Sequence, residues 1–268
     1  MEFLNFRVRH PARGGWLAAG LLLAVGGMLF AGEARREIFA ARAAAELHRA
    51  HMQFQSDTND ATAAWQFARA CFYFNEFVTN NAGSAELASQ GIAASRQSLA
   101  RESNSAPAHY YLAIELGLLA DTKRNLAAFK LVREMEREFK TADDLDEHFD
   151  YAGPARCLGL LYRDAPGWPL SVGSRRKARD WLEQAARLAP DYLENQLTLA
   201  ESYWQWKDRE AAVEALQKFD ALWPAVQTNL AGAAWERSWD DWADRRDTLR
   251  EKMNGNSPAK KPPKNPRN

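Results

Sequence analysis

An all-α fold, built of αα-hairpins stacked as a solenoid behind an N-terminal transmembrane or signal helix, is what three features of this sequence predict. A small residue, an apolar one, a second small or apolar one and a proline occur at Ala178, Leu182, Ala185 and Pro190. The same order returns 34 residues later at Ala212, Leu216, Phe219 and Pro224. Elsewhere apolar residues recur at spacings of three and four, the period of a helix with one buried face. Finally, Gly14 to Gly32 carries no charge.

Taken in order, residues 1–13 hold Arg7, Arg9, His10 and Arg13 against one acid, Glu2. As a helix, the uncharged segment 14–32 spans about 28 Å, close to the hydrocarbon thickness of a bilayer. It is longer than a usual signal-peptide core and no clean small-residue cleavage site follows it, so an uncleaved anchor is favoured over a cleaved signal. The basic residues before it place the N-terminus in the cytoplasm and the rest outside. Residues 33–57 read as a helical linker, and residues 58–253 as the helical domain. Asp60 or Thr58 is expected to cap a helix over Ala61 to Thr79, with Trp65, Phe67, Cys71, Phe72 and Phe74 on its buried face. NNAGS is expected to break it, with Ser84 as the next N-cap before the stripe Leu87, Ile92 and Leu99. A second pair follows: Ala108 to Leu119, then about Leu126 to Phe139 with Leu126, Phe129, Val132 and Met135 inward. TADDLDEHFDYAGP offers neither the glycine nor the glutamate of an EF-hand loop and is expected to be a solvated linker.

The 34-residue recurrence matches a tetratricopeptide unit in length and residue types. In the last unit Leu199, Ala200 and Tyr203 stand where the first helix meets its partner, and the small Ala200 lets the axes approach. Leu158, Gly159 and Tyr162 hold those positions one unit earlier. There the next match, Ala178, arrives late, which makes RDAPGWPLSVGS an inserted loop. Its prolines and glycines exclude helix, and Trp168 is expected to bury its ring. The loop reads either as a binding element or as a packed connector. Past Pro224, Trp235, Trp239 and Trp242 form one helical stripe. It suits a helix capping the stack or a partner-contact face. Residues 254–268 are basic and proline-rich and are expected to be a disordered tail.

FDYAGPARCLGLLYRDAPGWPLSVGS followed by KAR…LEQAARLAPDYLENQLTLAES resembles the T-component family of TRAP transporters. The resemblance spans roughly Trp65 to Pro224 and is strongest from Asp150 to Ser202. It implies an all-helical fold, a small homo-oligomer, and work beside an extracytoplasmic solute-binding protein. Members of that family are often lipoproteins, and no cysteine near Gly32 could take a lipid, so an anchor through residues 14–32 would be a departure. The compartment implied is the bacterial inner membrane with a periplasmic C-terminal domain, or the periplasm after signal cleavage.

Lysine plus arginine equals aspartate plus glutamate at 35 each, so no global field draws in nucleic acid. Cys71 and Cys157 lie in apolar helical contexts and read as buried free thiols. The five histidines form no catalytic or closed metal set; His48 and His51, three apart, read as a weak metal pair or a solvated face. With no phosphate loop and no nucleophile–base arrangement, a non-catalytic protein without cofactor or metal is expected. Binding is the stronger expectation. The first helices of the hairpins bring Tyr110, Tyr111, Tyr162, Tyr203, Trp204 and Trp206 toward a concave face, and Trp168 joins them as a ligand or partner contact. Core packing is the alternative for Tyr162 and Tyr203. Arg156 and Asn195 match the T-component stretch, and Arg156 is expected to pair with Asp150 and hold the loop. An accessory role in solute uptake is favoured over a general cell-envelope scaffold for protein contacts.

Overall fold

The structure is a computed structural model and describes residues 22–123 and 126–255. Of the expected anchor or signal segment at 14–32, residues 14–21 fall outside the described residues and residues 22–32 open the first helix; the basic N-terminus and nearly all of the 254–268 tail also lie outside. Among the described residues no helix is long and apolar enough to cross a membrane.

Ten helices make up the described chain, and no strand occurs among the described residues: α1 Leu22–Ser56, α2 Ala61–Asn75, α3 Asn81–Arg101, α4 Ala106–Thr122, α5 Ala127–Leu145, α6 Phe149–Asp164, α7 Arg175–Leu188, α8 Leu193–Gln205, α9 Arg209–Asn229 and α10 Glu236–Met253. The fold class is therefore all-α. Contacts divide it into two compact units, Met1–Pro190 and Asp191–Asn268.

In unit 1 each helix packs on the next, and short connections force neighbours to run antiparallel. The register is visible in side chains. His51 and Phe54 of α1 stack on Phe67 of α2. At the far end of α2, Asn75 and Ser84 exchange buried hydrogen bonds of 2.7 and 3.0 Å. Gln97 and Ser98 of α3 return to the carbonyls of Thr58 and Ala61. Helix α2 also touches α4, and α4 touches α6. Gly159 of α6 faces α7 so closely that a Cβ would lie 2.5 Å from the Leu182 side chain and 3.1 Å from its backbone nitrogen.

Several local expectations are corrected. Helix α2 stops at Asn75 rather than Thr79. The cap of α3 is Asn80, whose side chain accepts from Gly83 N–H at 2.7 Å, while Ser84 lies buried inside the helix. The expected linker after Thr141 is mostly helix, because Phe139 and Ala142 carry the buried face of α5 to its end and α6 starts at Phe149. Leu126, expected inward, precedes α5 and is 78% exposed. Hairpins begin at Ala61, Ala106, Phe149 and Leu193, so the intervals are 45, 43 and 44 residues. The 34-residue interval holds only between α7 and α9, which begin at Arg175 and Arg209; α3 and α5, 21 and 19 residues long, lengthen the first two hairpins, and the loop at 165–174 lengthens the third.

Unit 2 packs α8 on α9 and closes with α10. Helix α9 runs through Pro224, with Val226 buried beyond it. That burial offsets the lost backbone bond. Trp242 of α10 is buried and donates its indole N–H to Glu194 at 2.8 Å, and Trp239 donates to the Leu230 carbonyl at 2.7 Å. Arg245 lies among Glu194, Glu201 and Asp241 at 2.8 to 3.0 Å.

Candidate functional site

The most unusual backbone in unit 1 opens α6. Asp150, Tyr151 and Ala152 have φ of 50, 56 and 60°, three successive non-glycine residues in the left-handed region. Each costs about 1–2 kcal/mol relative to right-handed helix. Pro154 then sets the right-handed turn that follows, where its missing N–H is tolerated. Such conformations persist only where surrounding contacts over-determine them, and they concentrate at functional sites.

Those contacts come from α4 and from α6 itself. Tyr110 O–H donates to Asp150 Oδ2 at 2.9 Å, and Arg156 Nη2 reaches the same oxygen at 3.1 Å. Arg156 also donates to the Tyr151 carbonyl at 3.2 Å, so one guanidinium ties both the side chain and the backbone of the turn. The expected Arg156–Asp150 pair is thus present, and it holds the start of α6. Cys157 Sγ lies 3.7 Å from the Tyr110 hydroxyl. A Cβ on Gly153 would sit 2.9 Å from that hydroxyl, which is why this position has no side chain. Burial, and after it the Asp150 carboxylate, holds the Tyr110 hydroxyl well above the ordinary phenol range, so it stays a donor at every physiological pH.

Aromatic rings extend the site across α2 and α4. Phe149 meets Tyr110 and Tyr111 edge-on, at centroid distances of 5.3 and 6.3 Å. Trp65 lies parallel to Tyr111 at 6.0 Å, with the Arg69 guanidinium 5.6 Å from the indole. Tyr110 and Tyr111 are themselves buried, whereas Tyr73 and Tyr151 are 45% and 43% exposed. The arrangement presents the part-exposed Tyr73, whose hydroxyl is bonded to Tyr111, with Tyr151 and the part-exposed carboxylate of Asp150, backed by an aromatic wall. That chemistry suits hydrogen-bond donors and planar or apolar groups. It contains no nucleophile–base pair of the kind covalent catalysis requires.

Beneath it lies a carboxyl with no partner. Glu115 of α4 is fully buried, neither oxygen has a hydrogen bond, and Gly91 of α3 leaves the room it occupies, since a Cβ there would be 2.6 Å from the carboxyl carbon. Burial raises its pKa well above the usual range, so it is a neutral acid. Burial, and then Glu115, raise the Cys71 thiol as well. Cys71 and Cys157 are both free and buried.

Of the residues expected from sequence, Tyr110, Tyr111 and Arg156 come together here. Tyr162 does not: it is buried, donates to Glu136 and lies under Lys177 at 5.0 Å. Burial pushes the Glu136 pKa up, but hydrogen bonds from Lys140 and Tyr162 win and lower it. Trp168, expected to bury its ring, is instead 89% exposed. The base of its loop is closed by Gly173 N–H donating to Pro166 O and Ser174 N–H donating to Tyr162 O of α6 at 2.9 and 2.8 Å, which leaves the tip with Trp168 projecting outward. In unit 2, Asn195 and Tyr203 are buried, Tyr203 meets Trp206 edge-on, and Arg209 stacks 3.5 Å over Trp204. Trp235, Trp239 and Trp242 pack with Tyr192 and Trp223 inside that unit. His48 and His51 line a shallow cleft of about 220 Å³ with Phe67 and Gln90. Among the described residues no three metal-binding side chains gather.

Trp65, Tyr73, Asp150 and Glu115 were missed as site residues. A lone acid inside YYLAIELGLLA was the readable signal for Glu115, and Asp150 was marked only as the ion-pair partner of Arg156; nothing local marked Trp65 and Tyr73. No protein-family model matches the chain, and no curated protein matches it.

Proposed function

We propose that the protein is a non-catalytic, membrane-associated accessory component of solute uptake, of the T-component kind its sequence resembles. Unit 1 then acts as a short tetratricopeptide-like solenoid whose α2, α4 and α6 receive a solute-binding protein or its apolar ligand. The observation that carries this reading is the left-handed turn at Asp150–Ala152. A chain that holds three strained residues with an arginine and a tyrosine, and thereby fixes the part-exposed Asp150 near Tyr73 and leaves Tyr151 at the surface, has a preorganised surface. Preorganised surfaces lose little entropy on binding. Close packing of Gly159 on Leu182 is the helix contact expected at a small repeat position and supports the solenoid.

The test is co-purification. Membranes containing the full chain are cross-linked and solubilised, and the partners are identified by mass spectrometry. Recovery of an extracytoplasmic solute-binding protein, reduced by Tyr151→Ala and Asp150→Asn, supports the assignment. Recovery of cell-wall or secretion proteins in its place rejects uptake in favour of an envelope scaffold.

A further inference from the structure

Because successive helices of unit 1 alternate in direction, its loops fall at two ends, and the ends differ. At one end lie the α1–α2, α3–α4 and α5–α6 connections, which carry Asp57, Asp60, Glu102, Asp146 and Glu147 and no lysine or arginine. At the other lie the α2–α3, α4–α5 and α6–α7 connections. That end holds one acid, Glu76, together with Lys123 and, directly after the α6–α7 loop, Arg175, Arg176 and Lys177. It also holds the most exposed large apolar side chains: Trp168 at 89%, Leu126 at 78% and Leu170 at 58%.

Three cations in the first turn of α7 oppose the positive end of its helix dipole, and Ser174 supplies the only side-chain cap there. Local stability would favour acids at those positions. The α6–α7 loop is also held rigid while its tip projects: besides the closures at Gly173 and Ser174, the N–H groups of Leu170 and Ser171 donate to Gly167 O. A rigid tryptophan and leucine above a cationic turn match a lipid–water interface with anionic headgroups, where indole and guanidinium are each favoured.

The direction of α1 decides between a lipid and a protein occupant. Its His51 and Glu46 sit against Phe67 and Arg69 of α2, so α1 runs antiparallel to α2 and its earlier residues pass the basic end, with 33–38 exposed. Residues 22–32, the described part of the uncharged run, continue α1 from this end. From Ala40 to Gly32 a helix rises only about 12 Å. We propose that this basic, apolar end of unit 1 rests on an anionic membrane surface, with Trp168 and Leu170 inserted among the headgroups and Arg175 and Arg176 on their phosphates. This deepens the functional reading above only in that both place unit 1 beside a membrane.

The experiment places an environment-sensitive fluorophore on the full chain at Leu170→Cys; Cys71 and Cys157 are buried, and the unsubstituted chain reports any background labelling. Unilamellar vesicles of phosphatidylcholine, with or without phosphatidylglycerol, carry brominated acyl chains as quenchers. The expected result is a blue shift and quenching with phosphatidylglycerol, weakened roughly tenfold or more in apparent affinity by Arg175→Glu with Arg176→Glu. Trp168→Ala should reduce the quenching without changing the melting temperature. A vesicle-bound chain whose probe stays unquenched overturns the proposal, as does a probe that is shielded only when an acidic soluble protein is added. Carbonate extraction of the same membranes reports on residues 14–32 separately, so failure of the anchor and failure of this contact are distinguishable.

Discussion

Glu115→Gln isolates what a buried, unpartnered carboxyl costs this fold. The native group is neutral, because burial raises its pKa well above the 4.5 of an unperturbed glutamate. In the unfolded chain it ionises just above that value. Between the unfolded and folded pKa the native state therefore holds one proton more than the unfolded state. Stability contributed by this site is fully present below pH 4.5 and falls by about 1.4 kcal/mol per pH unit as pH rises toward the folded pKa. Glutamine has nearly the same shape and no proton to lose. Relative to Glu115→Gln, the native chain should lose about 2 kcal/mol between pH 5 and pH 6.5. Asp143, raised to about 6 by burial and then by neighbouring acids, and Asp241, also raised, add their own slopes to both chains and cancel in the comparison. Urea melts followed by circular dichroism at a series of pH values read the difference directly. Parallel pH profiles for the two chains would refute the reasoning, since they would mean that Glu115 is ionised in the fold or exposed to water.

Tyr110→Phe deletes the hydroxyl that Asp150 accepts from and should cost about 1–3 kcal/mol in a urea melt, with weaker partner capture because the left-handed turn loses one of its two ties. Gly159→Ala drives a methyl into Leu182 and into backbone that cannot swing away; a loss of about 1–3 kcal/mol is expected, and a thermal melt of the full chain measures it. Arg245→Met leaves Glu194, Glu201 and Asp241 without their shared cation. It should destabilise unit 2 by about 3 kcal/mol at pH 7 and by less at pH 4, as amide exchange within α8 and α10 would show.

The helices were legible because each has a periodic apolar face and a polar or proline-marked end, and burial of that face outweighs local propensity. What misled was capping and length. Asn80 and Ser84 are both competent N-caps by type, and only the buried pairing of Asn75 with Ser84 decides between them. The acid-rich stretch before Asp146 looks like linker, yet Phe139 and Ala142 bury and keep it helical. Tyr110, Tyr111 and Arg156 were legible as site residues because they recur at packing positions or stand in the FDYAGPAR stretch. Trp65 and Tyr73 were not, because a tryptophan or tyrosine on an amphipathic helix looks the same whether it packs the core or borders a site.

From the sequence alone came the all-α class, the order of most helices, the uncharged segment at 14–32, two cysteines in apolar settings, and the charge of every loop. These are local properties, fixed by spacing and residue type. Tertiary structure alone decided which loops share an end, that Asp150–Ala152 turn left-handed under Arg156 and Tyr110, that Glu115 is sealed without a partner, and that Trp168 points into solvent. Each depends on residues dozens of positions apart meeting, and a linear pattern carries no record of which neighbour fills the space beside a side chain.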